Sequence, residues 1–196
     1  MRVVAAPDKF RGTVSAADAA SAMARAVVSR GGTAIEVPMA DGGEGLLDVL
    51  GGPDHTTEVT GPLGSPVRAG WRLSGGTAVV EMARASGLVL AGGIEGNRPL
   101  DATTAGVGEL LRHAVELGAR RVIVGMGGSA TTDGGLAALD AMGPMARYRG
   151  VEMLVACDVR TRFTEAAEGF GPQKGASDAQ VRLLAGRLER LVQVYL

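Results

Sequence analysis

At 196 residues the chain is long enough for one ordinary domain or two small ones, and folding at that size buries roughly 70% of the unfolded surface. Its 46% hydrophobic and 21% charged residues exclude an intrinsically disordered chain, and a net charge of −1 supplies no field to draw it onto nucleic acid or an anionic membrane. One cysteine, Cys157, rules out an internal disulfide framework and a zinc cage of cysteines, and no run approaches the ~20 apolar residues of a membrane helix.

From Met1 the chain reaches Pro7 and Asp8 after an apolar run too short for a secretory signal, so a cytoplasmic protein is expected. Short β-rich runs then alternate with helical stretches, the pattern of an α/β fold with mostly parallel strands. Residues 2–6 read as a first strand. Ser15-Ala-Ala-Asp18 is a capping-box variant that opens a helix to about residue 30, where Gly31-Gly32 closes it. Residues 34–38 read as a second strand, followed by the loop Ala40-Asp-Gly-Gly-Glu-Gly45 and a short helix to residue 50. Three short strands at 56–60, 67–73 and 77–81, split by Gly/Pro/Ser turns, predict a small antiparallel or mixed sheet with Trp71 in its core. The shift in composition near residue 55 marks a candidate domain boundary.

Further along, residues 104–117 read as a helix capped by Gly118, 121–125 as a strand, 136–142 as a helix and 151–156 as a strand. Residues 177–196 form an amphipathic helix with Val181, Leu184, Leu188, Leu191 and Val194 at helical spacing. It reaches Leu196 with no glycine, proline or polar tail, which gives the expectation of a chain cut short of its natural end.

The 31 glycines against 3% aromatics give the backbone many places for tight turns or close approach. Arginine fills almost every basic position. The two lysines, Lys9 and Lys174, both fall in Gly/Pro-flanked loops, where a compact ammonium suits a phosphate. Four loops share one design, a strand followed by glycines with a carboxylate or a lysine, as expected where ligands sit beyond strand carboxyl ends. The strongest is Gly127-Gly-Ser-Ala-Thr-Thr-Asp-Gly-Gly135, whose small residues free backbone N–H groups for one anion, with hydroxyls on Ser129, Thr131 and Thr132. Asp133 would then stand beside that anion, suited to Mg2+ or a substrate hydroxyl. Asp8, Asp41 and Asp158 also follow strands, and clustered carboxylates repel unless a cation or reacting hydroxyl sits among them.

Gly125-Met-Gly-Gly-Ser-Ala130 also fits the dinucleotide pattern G-x-G-x-x-A, although Asp133-Gly134-Gly135 delays the following helix. No G-x-x-x-x-G-K-[ST] sequence is present. Cys157 reads as a small buried filler, His113 and His55 as structural or exposed, and Glu81, Arg84 and Arg98 as surface or supporting residues.

Five segments together resemble the bacterial glycerate kinase family. They are Ala6-Pro-Asp-Lys-Phe-Arg-Gly12, Ala40-Asp-Gly-Gly-Glu-Gly45, Gly127-Gly-Ser-Ala-Thr-Thr-Asp-Gly-Gly135, Ala156-Cys-Asp-Val159 and Gly171-Pro-Gln-Lys-Gly-Ala176, in the family's order along nearly the whole chain. The resemblance implies a cytoplasmic, ATP-dependent kinase that phosphorylates D-glycerate, usually at the 2-hydroxyl, with Mg2+. It implies two α/β domains, one inserted into the other, the first a flavodoxin-like three-layer α/β/α sandwich. Residues 1–54 would be the N-terminal part of that incomplete first domain. Residues 55–196 would be the second, inserted domain, incomplete at its C-terminal side.

On this basis Lys9, Arg11, Asp41, Asp133 and Lys174 are the expected catalytic residues. Gly127, Gly128, Ser129, Ala130, Thr131 and Gly134 would hold the nucleotide phosphates, and Asp41, Asp133 and Asp158 the metal. The expected partner is the small-molecule substrate, with no nucleic acid or membrane, and a second copy or a complementing C-terminal half as a possible associate. Two other readings stand beside this one: an inactive fragment that binds phosphate or a small anion, and a dinucleotide-binding domain using residues 125–130. The chain departs from the family pattern in three places. Many members read Ser-Phe-Lys where it reads Lys9-Phe10-Arg11, its connector at residues 142–150 is short, and it stops before the later half that carries another Gly-Glu-Gly-Arg-type loop.

Overall fold

A computed structural model describes residues 1–10 and 13–196. It is a mixed α/β structure with two sheets. In the first, β1 (Arg2–Ala5) pairs in parallel with β2 (Thr33–Glu36), connected by α1 (Ala16–Val28). Ser15 caps α1 as its sequence foretold: its hydroxyl accepts from the Asp18 N–H at 3.1 Å and donates to the Asp18 carboxylate at 2.7 Å. Ala16, Ala19, Ala20 and Ala24 form the helix's buried stripe. Among the described residues the first sheet has these two strands, and Val4 (59% exposed) is open to solvent.

After α2 (Leu46–Val49) the second sheet begins, with β3 (His55–Thr60), β4 (Pro66–Ser74) and β5 (Thr77–Glu81). Two short helices, α3 (Ala83–Ser86) and α4 (Gly93–Gly96), lead into α5 (Ala105–Glu116). Then come β6 (Arg121–Gly125), α6 (Leu136–Met142), β7 (Glu152–Ala156), α7 (Ala166–Phe170) and α8 (Asp178–Tyr195). Strand order is β3-β4-β5-β6-β7, antiparallel across β3, β4 and β5, and parallel across β5, β6 and β7. The three middle strands are thus not a small sheet of their own but the continuation of the parallel one. β5 is apolar on both faces, so it fits a central position better than an edge.

Alternation along the strands builds three layers. Ala78 and Val80 of β5, Val122 and Val124 of β6, and Ala69 and Trp71 of β4 face Val107, Leu110, Leu111 and Ala114 of α5. Val79 and Ile123 point the other way, onto Leu46 and Leu47 of α2. Full burial of a Leu or Val here is worth roughly 1.5–3 kcal/mol, so the helix-backed center is the firm part of the molecule. β7 at the edge is mostly exposed, Val155 at 62%. The final helix forms a smaller cluster through Leu184 and Leu188 against Ala167 and Ala176. Its start carries a full capping box between Ser177 and Gln180, a signal the amphipathic pattern alone had not disclosed.

Candidate functional site

The strands β6 and β7 run parallel, and the loops at their carboxyl ends border a cavity of about 560 Å³. Residues 41–43 supply one wall, residues 126–129 another, and residues 157–159 a third. Lys174 and Gln173 close it, with Leu88, Ile94 and Phe170 as its apolar lining.

The Asp41 wall is an ion-paired one. The Lys9 ammonium donates to Asp41 Oδ1 at 3.0 Å and stands 3.7 Å from Asp8 Oδ1. The Gly43 N–H donates to the same Asp41 oxygen at 2.8 Å. The hydrogen bond from Lys9, reinforced by Gly43 and opposed by partial burial, holds the Asp41 carboxyl below the usual carboxylate range. Behind it lies Glu81, 3% exposed at the end of β5. Glu81 accepts from the Gly45 and Leu47 N–H groups at 3.0 and 2.8 Å and pairs with the Arg84 Nε at 2.8 Å, so it ties the loop and the start of α2 to the sheet. Of the two roles expected for Glu81, surface or supporting, the structure shows the supporting one. Its signal was a carboxylate closing an otherwise apolar central strand.

Glycines bring the first two walls into contact. The Gly127 N–H donates to the Gly42 carbonyl at 3.1 Å, and a Cβ on Gly127 would overlap the Gly43 backbone. Glycine at this position is therefore required by close approach.

The second wall carries Lys174. Its ammonium donates to Ser129 Oγ at 2.9 Å and to the Thr131 carbonyl. Burial pushes its pKa down to about 8, with Asp133 pulling the other way. The N–H groups of Gly127 and Ala130 are taken by Gly42 and Ser86, which leaves those of Gly128 and Ser129 without a protein acceptor among the described residues. Two backbone donors, a hydroxyl and an ammonium therefore border one cavity wall, a set suited to an anion.

The structure distributes the remaining expected residues differently. Ala130 is fully buried, with its N–H bonded to Ser86 and its carbonyl to Asn97, so it holds the loop and faces no ligand. Thr131 is buried and meets Lys174 through its carbonyl. Gly134 packs against α8, where an added Cβ would meet Leu191, Phe163 and Leu188. Asp133 does not line the cavity: its carboxylate accepts from the Thr104 N–H at 2.9 Å, the Thr104 hydroxyl at 2.7 Å and the Gly135 N–H at 3.1 Å. That arrangement serves the start of α5, whose own N-cap side chain makes no capping bond. Asp158 and Cys157 lie exposed on the cavity wall, so Cys157 is no buried filler. Arg11 lies outside the described residues. Among the described residues no three His, Cys, Asp or Glu side chains are grouped to bind one metal, so Asp41, Asp133 and Asp158 do not form a three-carboxylate cage.

Fold and site together define an α/β protein with glycine-rich loops ringing an anion-suited cavity at the carboxyl ends of parallel strands. Comparison with known proteins is consistent along the chain's length. The model of the glycerate kinase family matches residues 3–147 and 144–195. The chain is 41% identical to the glycerate kinase of Bacillus subtilis (strain 168), across 90% of this chain and 56% of that protein. It is 35% identical to the glycerate 2-kinase of Escherichia coli (strain K12), across 99% of this chain and 61% of that one. A crystal structure described as "putative glycerate kinase 2 from Salmonella typhimurium LT2" superimposes with a TM-score of 0.77 at 33% identity, covering 97% of this chain and 62% of that one. The chain belongs to the glycerate kinase family, and it spans 56–61% of the length of these two curated relatives. The alignment to the Escherichia coli protein runs over 233 positions, more than the 196 residues here, and the family match divides at residues 144–147, inside the short connector.

Proposed function

We propose that this chain acts in the ATP-dependent phosphorylation of D-glycerate, with 2-phosphoglycerate as product. The observation that carries the reading is one shared cavity onto which the Asp41 loop, residues 127–129 and Lys174 all open. In the reaction, a glycerate hydroxyl oxygen gives up its proton by way of Asp41 and bonds to the γ-phosphorus, the bond to the β,γ-bridging oxygen breaks, and ADP leaves. Such transfers need positioning and charge neutralisation more than covalent help. We assign the free N–H groups of Gly128 and Ser129, with the Lys174 ammonium, to the phosphates. Asp41, kept ionised by Lys9, receives the hydrogen bond of the substrate hydroxyl. Lys9 and Arg11 are assigned to the glycerate carboxylate and the transferring charge.

Mg2+ fits this donor set as an ion held largely by nucleotide phosphates with one or two carboxylates, Asp41 and Asp158, both on the cavity wall. When bound it would neutralise phosphate charge. Asp133, spent on Thr104 and Gly135, is left out of that set.

The same reading divides the chain at residues 54 and 55 into the start of a first α/β domain and a second one, and places the protein in the cytoplasm. None of the described helices is long and apolar enough to cross a membrane. Exposed apolar side chains on β1, β2 and β7, among them Val4, Ile35 and Val155, support association with a second copy or with a complementing polypeptide.

The test is coupled ADP release by the chain with ATP, Mg2+ and D-glycerate, with the product identified by NMR. Glycerate-dependent ADP release supports the proposal. Binding of inorganic phosphate without turnover favours an inactive anion-binding protein, and NAD binding without ATP binding favours the dinucleotide reading.

A further inference from the structure

Asn97 follows α4 and lies far in sequence from both loops of the second wall, yet its side chain joins them. Its Nδ2 donates to the Ala130 carbonyl at 3.1 Å and to the Lys174 carbonyl at 2.8 Å. The residue is 8% exposed. The amide's orientation is fixed by these partners, because the flipped form would aim its oxygen at two carbonyls. Its Oδ1 is buried with no partner among the described residues. A buried acceptor left unpaired is destabilising, and leucine would fill a similar space without it. The neighbours strengthen the point. The Ala130 N–H is held from the other side by the Ser86 carbonyl at 2.9 Å, so Ala130 is clamped at both ends.

We propose that Asn97 is the positioning residue of the anion-binding wall, holding the Ser129 loop and the Lys174 loop at the separation that lets hydroxyl, backbone donors and ammonium address one phosphate. It touches no reactant and acts through Ser129 and Lys174. This deepens the kinase reading and rests on it for the identity of the anion, while the clamp itself can be tested without turnover.

The chain's two lysines make the test direct, because a lysine-labelled sample gives two ammonium signals, identified by the loss of one in Lys9→Met. Asn97→Leu and Asn97→Ala are compared with the parent chain by NMR titration of Lys174, with the amide spectrum as the check on folding. With the clamp gone, water reaches the ammonium. The Lys174 midpoint is then expected to rise by about one unit or more toward the ordinary lysine range. Where turnover is measurable, kcat/KM for nucleotide should fall about ten- to a hundred-fold, with KM for nucleotide rising. A folded variant of either kind whose Lys174 midpoint is unchanged overturns the proposal. So does loss of fold in both variants, which makes Asn97 a residue of general stability. A parent chain that shows no turnover sinks the kinase reading alone, since the titration still decides the clamp.

Discussion

The two walls of the cavity solve the problem of holding a charged group in different ways. On the Asp41 wall charge meets charge: Lys9 is paired with Asp41 and Asp8, and buried Glu81 fastens the loop through two N–H groups and Arg84. On the Lys174 wall the ammonium meets neutral oxygens, Ser129 Oγ and the Thr131 carbonyl, and an uncharged amide fastens the loops. Among the described residues the first wall sets one ammonium against two carboxylates, and the second keeps an ammonium with no carboxylate partner in a partly dry setting, where electrostatic attraction is stronger. In the proposed reaction the phosphates therefore go to the second wall, and the first receives the glycerate.

Removing the Lys174 ammonium should break this contrast most severely. Lys174→Met is expected to lower turnover by about a hundred- to a thousand-fold, the scale for losing one preorganised donor, with the fold retained by circular dichroism. Asp41→Asn should cost less, about a hundred-fold in kcat, because Lys9 remains to bind; a steady-state assay at saturating nucleotide separates the two.

The two walls also respond to pH, each in its own range. With a folded pKa of about 8 against an ordinary 10.5, Lys174 takes up its proton less readily folded than unfolded. Folding stability should therefore rise with pH between those values and level off below about 8. Activity should move oppositely, falling above about pH 8 as the ammonium is lost. Urea unfolding of the parent chain and Lys174→Met across that range tests the first statement, since the variant should lack this contribution to the slope. Asp41 acts at the acid end: its lowered carboxyl pKa contributes stability above the ordinary carboxylate value, lost as the solution is acidified through the folded value.

Smaller effects belong to the holding residues. Glu81→Gln removes the charge from an acceptor of two buried N–H groups and an arginine, and should cost about 1.5–3 kcal/mol in urea unfolding. Asp133→Asn should cost about 1 kcal/mol through the start of α5. If that variant instead lost turnover by orders of magnitude at unchanged stability, Asp133 would belong to the chemistry after all.

Much of this was legible beforehand. The strand–loop–helix punctuation around residues 121–142 could be read because apolar alternation, glycine runs and helical spacing are local properties, and Arg121–Gly125 and Leu136–Met142 match expectation. So was the placement of Asp41 and Lys174 in glycine-flanked loops, both of which border the cavity. Glu81 and Asn97 were not, since each acts on partners more than thirty residues away and neither carries a motif. Asp133 shows the opposite error: an acid beside a glycine loop invites a metal, yet Thr104 claims it from another helix.

By itself the sequence determined the elements, the glycine-rich loops and the family to which they belong, because periodicity, turn chemistry and residue order are written along one dimension. Tertiary structure alone decided which donors remain free. A hydrogen-bonding group's availability depends on what distant segment has already engaged it, and that is settled only when the chain has closed on itself.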